Sequence, residues 1–269
     1  MNNRIAFIGG GNMAFALIKG LIASDANLHI SVADPFPEAL EKYQDLPVET
    51  GSNNNTAIQA ADAIVLAVKP QVARDVVTGL TTLQPDQLVI SIAAGINLAS
   101  LTSWTHSEQA LVRCMPNTPA LVQQGITGLY ANTQCSDAQR TLASQILNAV
   151  GQSLWLETEA QIDAVTAVSG SGPAYFFLLM EAMVNAGTEL GLSQAQATQL
   201  TLQTALGAAS MATTGDAAPH TLRQNVTSPG GTTAAALQVM QDAEISATIT
   251  SALSAACTRA AQLAEEFGS

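Results

Sequence analysis

Short, wholly apolar runs ending in glycine or proline recur through the first half of the chain, and no other feature limits its fold as strongly. Arg4 to Gly9 is the first, and Met13 to Ala23 follows it with apolar residues at helical spacing. Leu28 to Ala33 is the next strand candidate. Asp62 to Val68 stops at Lys69-Pro70, Gln87 to Ala94 stops at Gly95, and Ala110 to Cys114 stops at Met115-Pro116-Asn117-Thr118-Pro119. Helical segments at Gln71 to Leu80 and Asn97 to Trp104 separate them. A strand apolar at every position must be covered on both faces, which indicates a parallel sheet between helical layers. Gly125 to Ala131 and Gln152 to Glu157 read as later strands of the same sheet, with a helix from Ser136 to Val150 between them.

After about Glu159 the strand-like runs disappear. Pro173 to Leu190, Ser193 to Ala212, Thr232 to Asp242 and Glu244 to Phe267 read as helices, with Pro173 in a first turn and Ser193 as an N-cap. The expected architecture is therefore α/β: a Rossmann-type, doubly wound, mostly parallel sheet over residues 1–158, then an all-α domain over 159–269. Charged residues are only 11% of the chain, and the shortage is most acute in the alanine-rich second half. A surface so poor in charge points to a subunit interface.

Net charge is −12, from 9 basic and 21 acidic residues. No Lys/Arg cluster follows a phosphate backbone or a membrane surface, so nucleic acid and membranes are not expected partners. No apolar run reaches the roughly 18 residues of a membrane span. The three cysteines, Cys114, Cys135 and Cys257, form no CxxC pattern and read as buried thiols in a reducing compartment. With the first residues leading directly into a strand and not into a signal peptide, a cytoplasmic location is expected. His29, His106 and His220 fall in no ligand spacing, so no metal site is expected.

Gly9-Gly10-Gly11-Asn12-Met13-Ala14 lies between the first strand and the first helix and spells Gly-x-Gly-x-x-Ala. The first glycine allows the tight turn, the second lets backbone approach a pyrophosphate, and the small Ala14 lets the helix pack on the strand. Alone the pattern is weak; in this position it indicates dinucleotide binding. Asp34 ends the second strand 20 residues after Ala14, where an acid would bond the adenosine ribose hydroxyls. No arginine adjoins it to hold a 2′-phosphate, which favours NADH or a relaxed choice of cofactor. Lys69-Pro70 and Asn117 occupy the carboxyl edge of the sheet, where ligands of open α/β folds bind.

A second glycine-rich turn, Ser228-Pro229-Gly230-Gly231-Thr232-Thr233, opens a helix far along the chain. Exposed N–H groups and the positive end of a helix dipole make it an anion cradle. An acidic chain with two such turns reads as one that brings two anionic ligands together. By itself the second turn is equally an N-cap between two helices.

Together with Val68-Lys69-Pro70, Met115-Pro116-Asn117-Thr118-Pro119-Ala120 and Ser169-Gly170-Ser171-Gly172-Pro173-Ala174-Tyr175, that turn, flanked by Leu222, Val226 and Leu237, makes the chain closely resemble the pyrroline-5-carboxylate reductase family over essentially its whole length. The resemblance implies reduction of 1-pyrroline-5-carboxylate to L-proline, the last step of proline synthesis, by hydride transfer from NADPH or NADH. It implies that Ile8, Gly9, Gly10, Gly11, Asn12 and Met13 hold the pyrophosphate and that Asn54 lies by the adenosine. Val68, Lys69 and Pro70, with Ile92, Ala93 and Ala94, would line the ribose and nicotinamide. Asn225, Thr232 and Thr233, with Gly230 and Gly231, would hold the substrate. Thr233 and Ser228 are the candidate catalytic residues, and Glu159 is a further, more loosely matched substrate contact. Asp34 departs from the small or hydroxyl residue common in the family, against its usual NADPH preference. The family implies a homodimer through exchanged C-terminal helices, and often rings of five dimers.

The chemistry agrees with this reading. A protonated cyclic imine is already electrophilic, so hydride addition needs positioning more than acid–base groups. A hydroxyacid dehydrogenase of similar layout would use a helix-borne lysine as acid, and no lysine lies between Glu159 and Ser269. A non-catalytic dinucleotide sensor would keep the turn at Gly9 but not need the one at Ser228.

Overall fold

The protein is described from a computed structural model, over residues 4–25 and 27–268. The outermost residues of the two expected domains, Met1 and Ser269, lie outside the described residues. Eight strands form one sheet in the order β3-β2-β1-β4-β5-β6-β7-β8. They are β1 (Arg4–Ile8), β2 (His29–Ala33), β3 (Glu49–Gly51), β4 (Ala63–Leu66), β5 (Leu88–Ser91), β6 (Ala110–Met115), β7 (Gly125–Ala131) and β8 (Gly151–Trp155). The first six are parallel neighbours. β7 runs antiparallel to β6, with Arg113 opposite Tyr130 and Met115 opposite Gly128, and β8 is parallel to β7. Only a single 3₁₀ turn, Thr118–Val122, stands between β6 and β7. So short a link cannot make the crossover that parallel pairing needs, which accounts for the one reversal.

Helices cover both faces. α1 (Asn12–Ser24) and α6 (Asp137–Asn148) close one side, where Leu17, Ile18, Ile146 and Leu147 pack on Ile5, Phe7, Val65 and Ile90. α4 (Pro70–Thr78) and α5 (Leu98–Trp104) close the other, where Ala73, Val77 and Leu101 pack on Ile8, Ile64, Leu66 and Val89. Successive residues of β1 alternate between these two cores, as the strand period of two requires. The apolar runs at Asp62 and Gln87 are shorter as strands than expected. Ala67 and Ile92 each still donate to the neighbouring strand, and the chain then leaves the sheet to form loops. Three short elements are not signalled by apolar runs: β3, α2 (Pro37–Leu40) with a following 3₁₀ turn Glu41–Tyr43, and α3 (Asn54–Ile58).

The compact units divide elsewhere than at residue 158. Residues to Ser171, together with those from Ala255 onward, form one unit, and Gly172–Ser254 form the other. A buried cation ties the segment after 158 to the sheet. Arg113 on β6 is 5% exposed and has no charge partner on the sheet. Its partners are Glu159, at 3.0 Å, and Asp163 of α7 (Gln161–Val165), at 3.5 Å. A buried guanidinium requires such pairing, so α7 belongs with the sheet. A π-turn, Thr166–Gly170, follows and leads into the next helix, which places the Ser169-Gly170-Ser171 motif at the end of this unit. The end of the last helix also packs here, with the Ser100 hydroxyl donating to the Gly268 carbonyl at 2.7 Å.

The second unit is helical: α8 (Gly172–Glu189), α9 (Gln194–Thr214), α10 (Pro219–Asn225), α11 (Thr232–Asp242) and the start of α12 (Ile245–Phe267). α8 and α9 form a hairpin, with Ser193 and Gln196 building a reciprocal capping box at the start of α9. Gly187 lies close enough to Ala197 that a methyl group there would stand 3.1 Å from it, so small residues set the helix spacing. α10 was not expected from the sequence, although Pro219 occupies its first turn. Large apolar side chains stay exposed on α8 and α9, among them Phe176, Phe177, Leu178, Leu200 and Leu206.

One expectation needs correction. Between Gln161 and Glu189 an 18-residue window reaches a mean hydropathy of 1.2, so the helical stretch is long and apolar enough to cross a membrane by length and composition alone. Counting uninterrupted apolar residues misses it, because Ser, Gly and Thr interrupt the run without interrupting the helix.

Candidate active site

The chain order reverses between β1 and β4: β2 and β3 extend the sheet one way, and β4 to β6 extend it the other. At such a switch point the carboxyl ends of the strands leave a crevice. The turn Gly9–Gly11 leaves β1 on one side of it, and Val68, Lys69 and Pro70 leave β4 on the other. Gly9 has φ +100° and donates its N–H to Ala33 at 2.8 Å. A methyl group on Gly9 would meet the Ala67 carbonyl oxygen at 2.6 Å, so the turn and the loop after β4 are packed backbone to backbone. Gly11, by contrast, is exposed, and a methyl group there would meet nothing within 4 Å. Gly11 is also the N-cap of α1 and has no side chain to satisfy the helix's first N–H groups. Backbone donors beside an open space that a Cβ would fill are the form a pyrophosphate fits.

Asp34 stands where the sequence places it, at the end of β2. Its Oδ2 accepts the Gly10 N–H at 2.8 Å and its Oδ1 accepts the Phe36 N–H at 3.0 Å. It therefore holds the glycine turn. Asn54 is the first residue of α3, and its Oδ1 is buried with no partner among the described residues. Such an orphan acceptor fits a ligand donor at the adenosine end. Ile92, Ala93 and Ala94 follow β5 on the same edge. Asn117 is 8% exposed, and its Oδ1 accepts the Ile126 N–H at 2.9 Å, so its evident work is pinning the β6–β7 link.

Glu159 is brought into a different setting from the one expected. Its Oε1 accepts from Arg113 at 3.0 Å and from the Leu98 N–H at 2.7 Å. These partners make it an anchor for α5 and the β5–α5 loop, and they remove the reason for reading it as a substrate contact. Sequence reasoning missed three residues here: Arg113, and Lys42 and Tyr43 beside the glycine turn. The Tyr43 hydroxyl donates to the Gly11 carbonyl at 3.4 Å, and burial first, then the Asp34 charge, pushes its pKa up. Pro37 in a first helical turn followed by Leu40 and Tyr43 was the available signal, since that spacing turns residues 40 and 43 to one side.

In the helical unit, Ser228-Pro229-Gly230-Gly231 is a β-turn closed by the Gly231 N–H donating to the Ser228 carbonyl at 3.1 Å. Pro at the second position and Gly230, with φ +68°, at the third are what a type II turn requires. Gly231 is the N-cap of α11, with no side-chain cap, and the first intrahelical bond is Ala235 to Gly231 at 3.1 Å. The N–H groups of Thr232, Thr233 and Ala234 therefore face outward at the positive end of an 11-residue helix. Ser228 and Thr232 are exposed and Thr233 is partly buried. Asn225 ends α10 just before the turn. A cleft of about 930 Å³ lies instead at the amino edge of the sheet, where Asp25, Asp62 and Asp86 give it the wrong charge for a dinucleotide. Cys114 and Cys135 are buried, and burial pushes both thiols up, which leaves them inert. No group of His, Cys, Asp and Glu among the described residues has the geometry of a metal site.

Residues 159–263 match the family described as pyrroline-5-carboxylate reductase dimerisation, and residues 4–95 match NADP oxidoreductase coenzyme F420-dependent. A pyrroline-5-carboxylate reductase of Pseudomonas aeruginosa is 53% identical over 268 residues, covering 98% of both chains. The solved structure of a pyrroline-5-carboxylate reductase from Coxiella burnetii superposes with a TM-score of 0.91 at 40% identity, over 98% of this chain and 99% of that one. The Plasmodium falciparum pyrroline carboxylate reductase, solved with NADP bound, gives 0.86 at 30% identity over 98% of each chain.

Proposed function

The chain belongs to the pyrroline-5-carboxylate reductase family, and from that premise we propose how its residues divide the work of reducing 1-pyrroline-5-carboxylate to L-proline with NADPH or NADH. Residues 1–158 act as the dinucleotide domain and 159–269, which hold the family match at 159–263, as the substrate and dimerisation domain, although residues 159–171 and those from Ala255 onward pack with the sheet. The observation that carries the substrate assignment is the uncapped start of α11 behind the Ser228–Gly231 turn. The substrate is a small ring with one carboxylate, and the N–H groups of Thr232 and Thr233 are donors for that group.

The reduced nicotinamide supplies the hydride when bound. The residues of the chain hold, orient and shield. Backbone N–H groups at Gly10, Gly11, Asn12 and Met13 receive the pyrophosphate, and Val68 to Pro70 with Ile92 to Ala94 line the nicotinamide side. Asn225 and Thr233 fix the substrate ring by its carboxylate, with Ser228 alongside. Reacting atoms must be held about 3–3.5 Å apart and in line, so carboxylate anchoring is where binding energy becomes rate.

Purified protein given pyrroline-5-carboxylate should consume NADPH or NADH; absence of turnover with both removes this reading. The Thr233 hydroxyl is a further donor, and Thr233→Ala, which keeps the backbone N–H, should weaken substrate binding by about ten- to a hundredfold in KM, the size of a lost hydrogen bond to a charged group, with cofactor affinity unchanged. Unaltered kinetics would remove the Thr233 hydroxyl from the site.

The exposed apolar faces of α8 and α9 and the dimerisation family match support a homodimer through the helical domain. A helix apolar over most of its circumference is stable only when covered. In solution the particle should weigh at least twice the 27.7 kDa of one chain. A monomer at micromolar concentration would contradict it, and a tenfold mass would indicate rings of five dimers.

A further inference from the structure

Asp34 poses a difficulty for a chain that uses NADPH. Its carboxylate faces the ribose position, where a 2′-phosphate would bring about two further negative charges. A cation has to stand close by if both cofactors are to be accepted. Of the nine basic residues, Arg113 and Arg259 are committed to carboxylates, and Arg4 begins β1 at the far edge of the sheet. Lys69 ends β4 at the N-terminus of α4, on the nicotinamide side.

Lys19 also stands over the Phe15 ring, at 5.6 Å, but Lys42 is the cation bonded to the turn at the ribose side. Its Nζ donates to Asn12 Oδ1 at 3.3 Å, at the first position of α1. It also lies 5.6 Å from the centroid of the Phe15 ring and 5.7 Å from that of Tyr43. Those rings meet edge to face, 5.4 Å apart at 76°, so the ammonium rests on a built aromatic corner. Asp34, Tyr43 and Lys42 grip successive residues of one turn: Gly10, Gly11 and Asn12. No carboxylate lies within 4 Å of Lys42 among the described residues, and an ammonium has two N–H donors left after Asn12. Burial lowers the Lys42 pKa, and the charge of Asp34 opposes that shift.

We propose that Lys42 determines cofactor specificity in this chain: it binds the 2′-phosphate of NADPH beside Asp34, while Asp34 serves the free ribose hydroxyls of NADH. The proposal rests on the assignment of the Gly9 turn to the dinucleotide. No arginine adjoins Asp34 in sequence, and Lys42, eight residues further on, takes that role.

The test is calorimetric binding of adenosine 2′,5′-bisphosphate and of AMP to the full-length protein, compared with Lys42→Met, Lys42→Arg and Asp34→Ser. Lys42→Met keeps an unbranched stem against Phe15 and Tyr43. It should lose about ten- to a hundredfold in affinity for the bisphosphate and less than about threefold for AMP, because only the charge-assisted bonds to the extra phosphate disappear. Lys42→Arg should retain the preference, and Asp34→Ser should strengthen bisphosphate binding. An equal loss for both nucleotides would place Lys42 at the shared phosphate instead, and no loss would remove it from the site; either result overturns the proposal. If the unaltered protein binds neither nucleotide, nor NADPH or NADH, the dinucleotide assignment itself is what fails. Should Lys42→Met not fold, Lys42→Arg and Asp34→Ser still decide: no rise for Asp34→Ser with a lost preference in Lys42→Arg overturns the proposal.

Discussion

Gly9→Ala is expected to abolish dinucleotide binding and to lower stability by about 2–5 kcal/mol, whereas Gly11→Ala should weaken binding alone. The two glycines are neighbours in one motif, but they do different physical work. At Gly9 a methyl group would lie 2.6 Å from the Ala67 oxygen and 2.8 Å from its carbon, in a backbone conformation with φ +100° that side chains avoid. Either the turn or the loop Ala67–Pro70 must move, and both belong to the cofactor site. At Gly11 the backbone is extended, with φ −67° and ψ −177°, and a methyl group meets nothing. The fold should lose no more than about 1 kcal/mol, the usual cost of a poorer N-cap. The same methyl group would occupy the space by which a pyrophosphate approaches the N–H groups, at a cost of at least about tenfold in affinity. Thermal unfolding and NADPH titration of both variants separate these effects. Full binding by Gly11→Ala would mean that the pyrophosphate does not approach there.

Arg113→Met is expected to destabilise the sheet unit by about 3 kcal/mol, because it leaves Glu159 and Asp163 with no cation. The two carboxylates are 27% and 18% exposed, so they cannot regain full hydration. The loss should be much smaller in the triple variant Arg113→Met/Glu159→Gln/Asp163→Asn, which removes the unpaired charges and keeps an acceptor for the Leu98 N–H. In the single variant the melting temperature should fall by roughly 6–12 °C, at about 2–4 °C per kcal/mol for a unit of this size. Since Glu159 also holds the start of α5, turnover should fall along with stability. If Arg113→Met melts like the unaltered protein, the ion pairs do not hold α7 to the sheet.

What could be read directly from the chain is what depends on a few consecutive residues. Gly9 to Ala14 announces its turn because the constraint is steric and local. The apolar runs announce a sheet covered on both faces because burial acts on every residue of a strand. Ser228 to Gly231 announces a type II turn and a helix start for the same reason, and Ser193 announces its capping box. The strand lengths were overestimated at Asp62 and Gln87, because a buried loop at the carboxyl edge is as apolar as a strand. Asn117 stands at the carboxyl edge and Glu159 beside Arg113, and their hydrogen bonds show structural work that residue type alone does not reveal.

The sequence by itself determined the α/β class, the order of most elements and the two glycine-rich turns at helix starts, since helix, strand and turn preferences act between residues at most a few positions apart. Only the tertiary structure decided which distant groups meet. Lys42 reaches Asn12 across 30 residues, Arg113 reaches Asp163 across 50, and Ser100 reaches Gly268 across 168. Each contact answers a need that no local pattern expresses: an exposed amide oxygen at a helix start that takes an ammonium, a buried guanidinium that must be neutralised, a helix end whose last carbonyl needs a donor. Such needs are met by whichever side chain packing brings near, so the boundary of the sheet unit and the surroundings of the cofactor turn emerge only when the chain is folded.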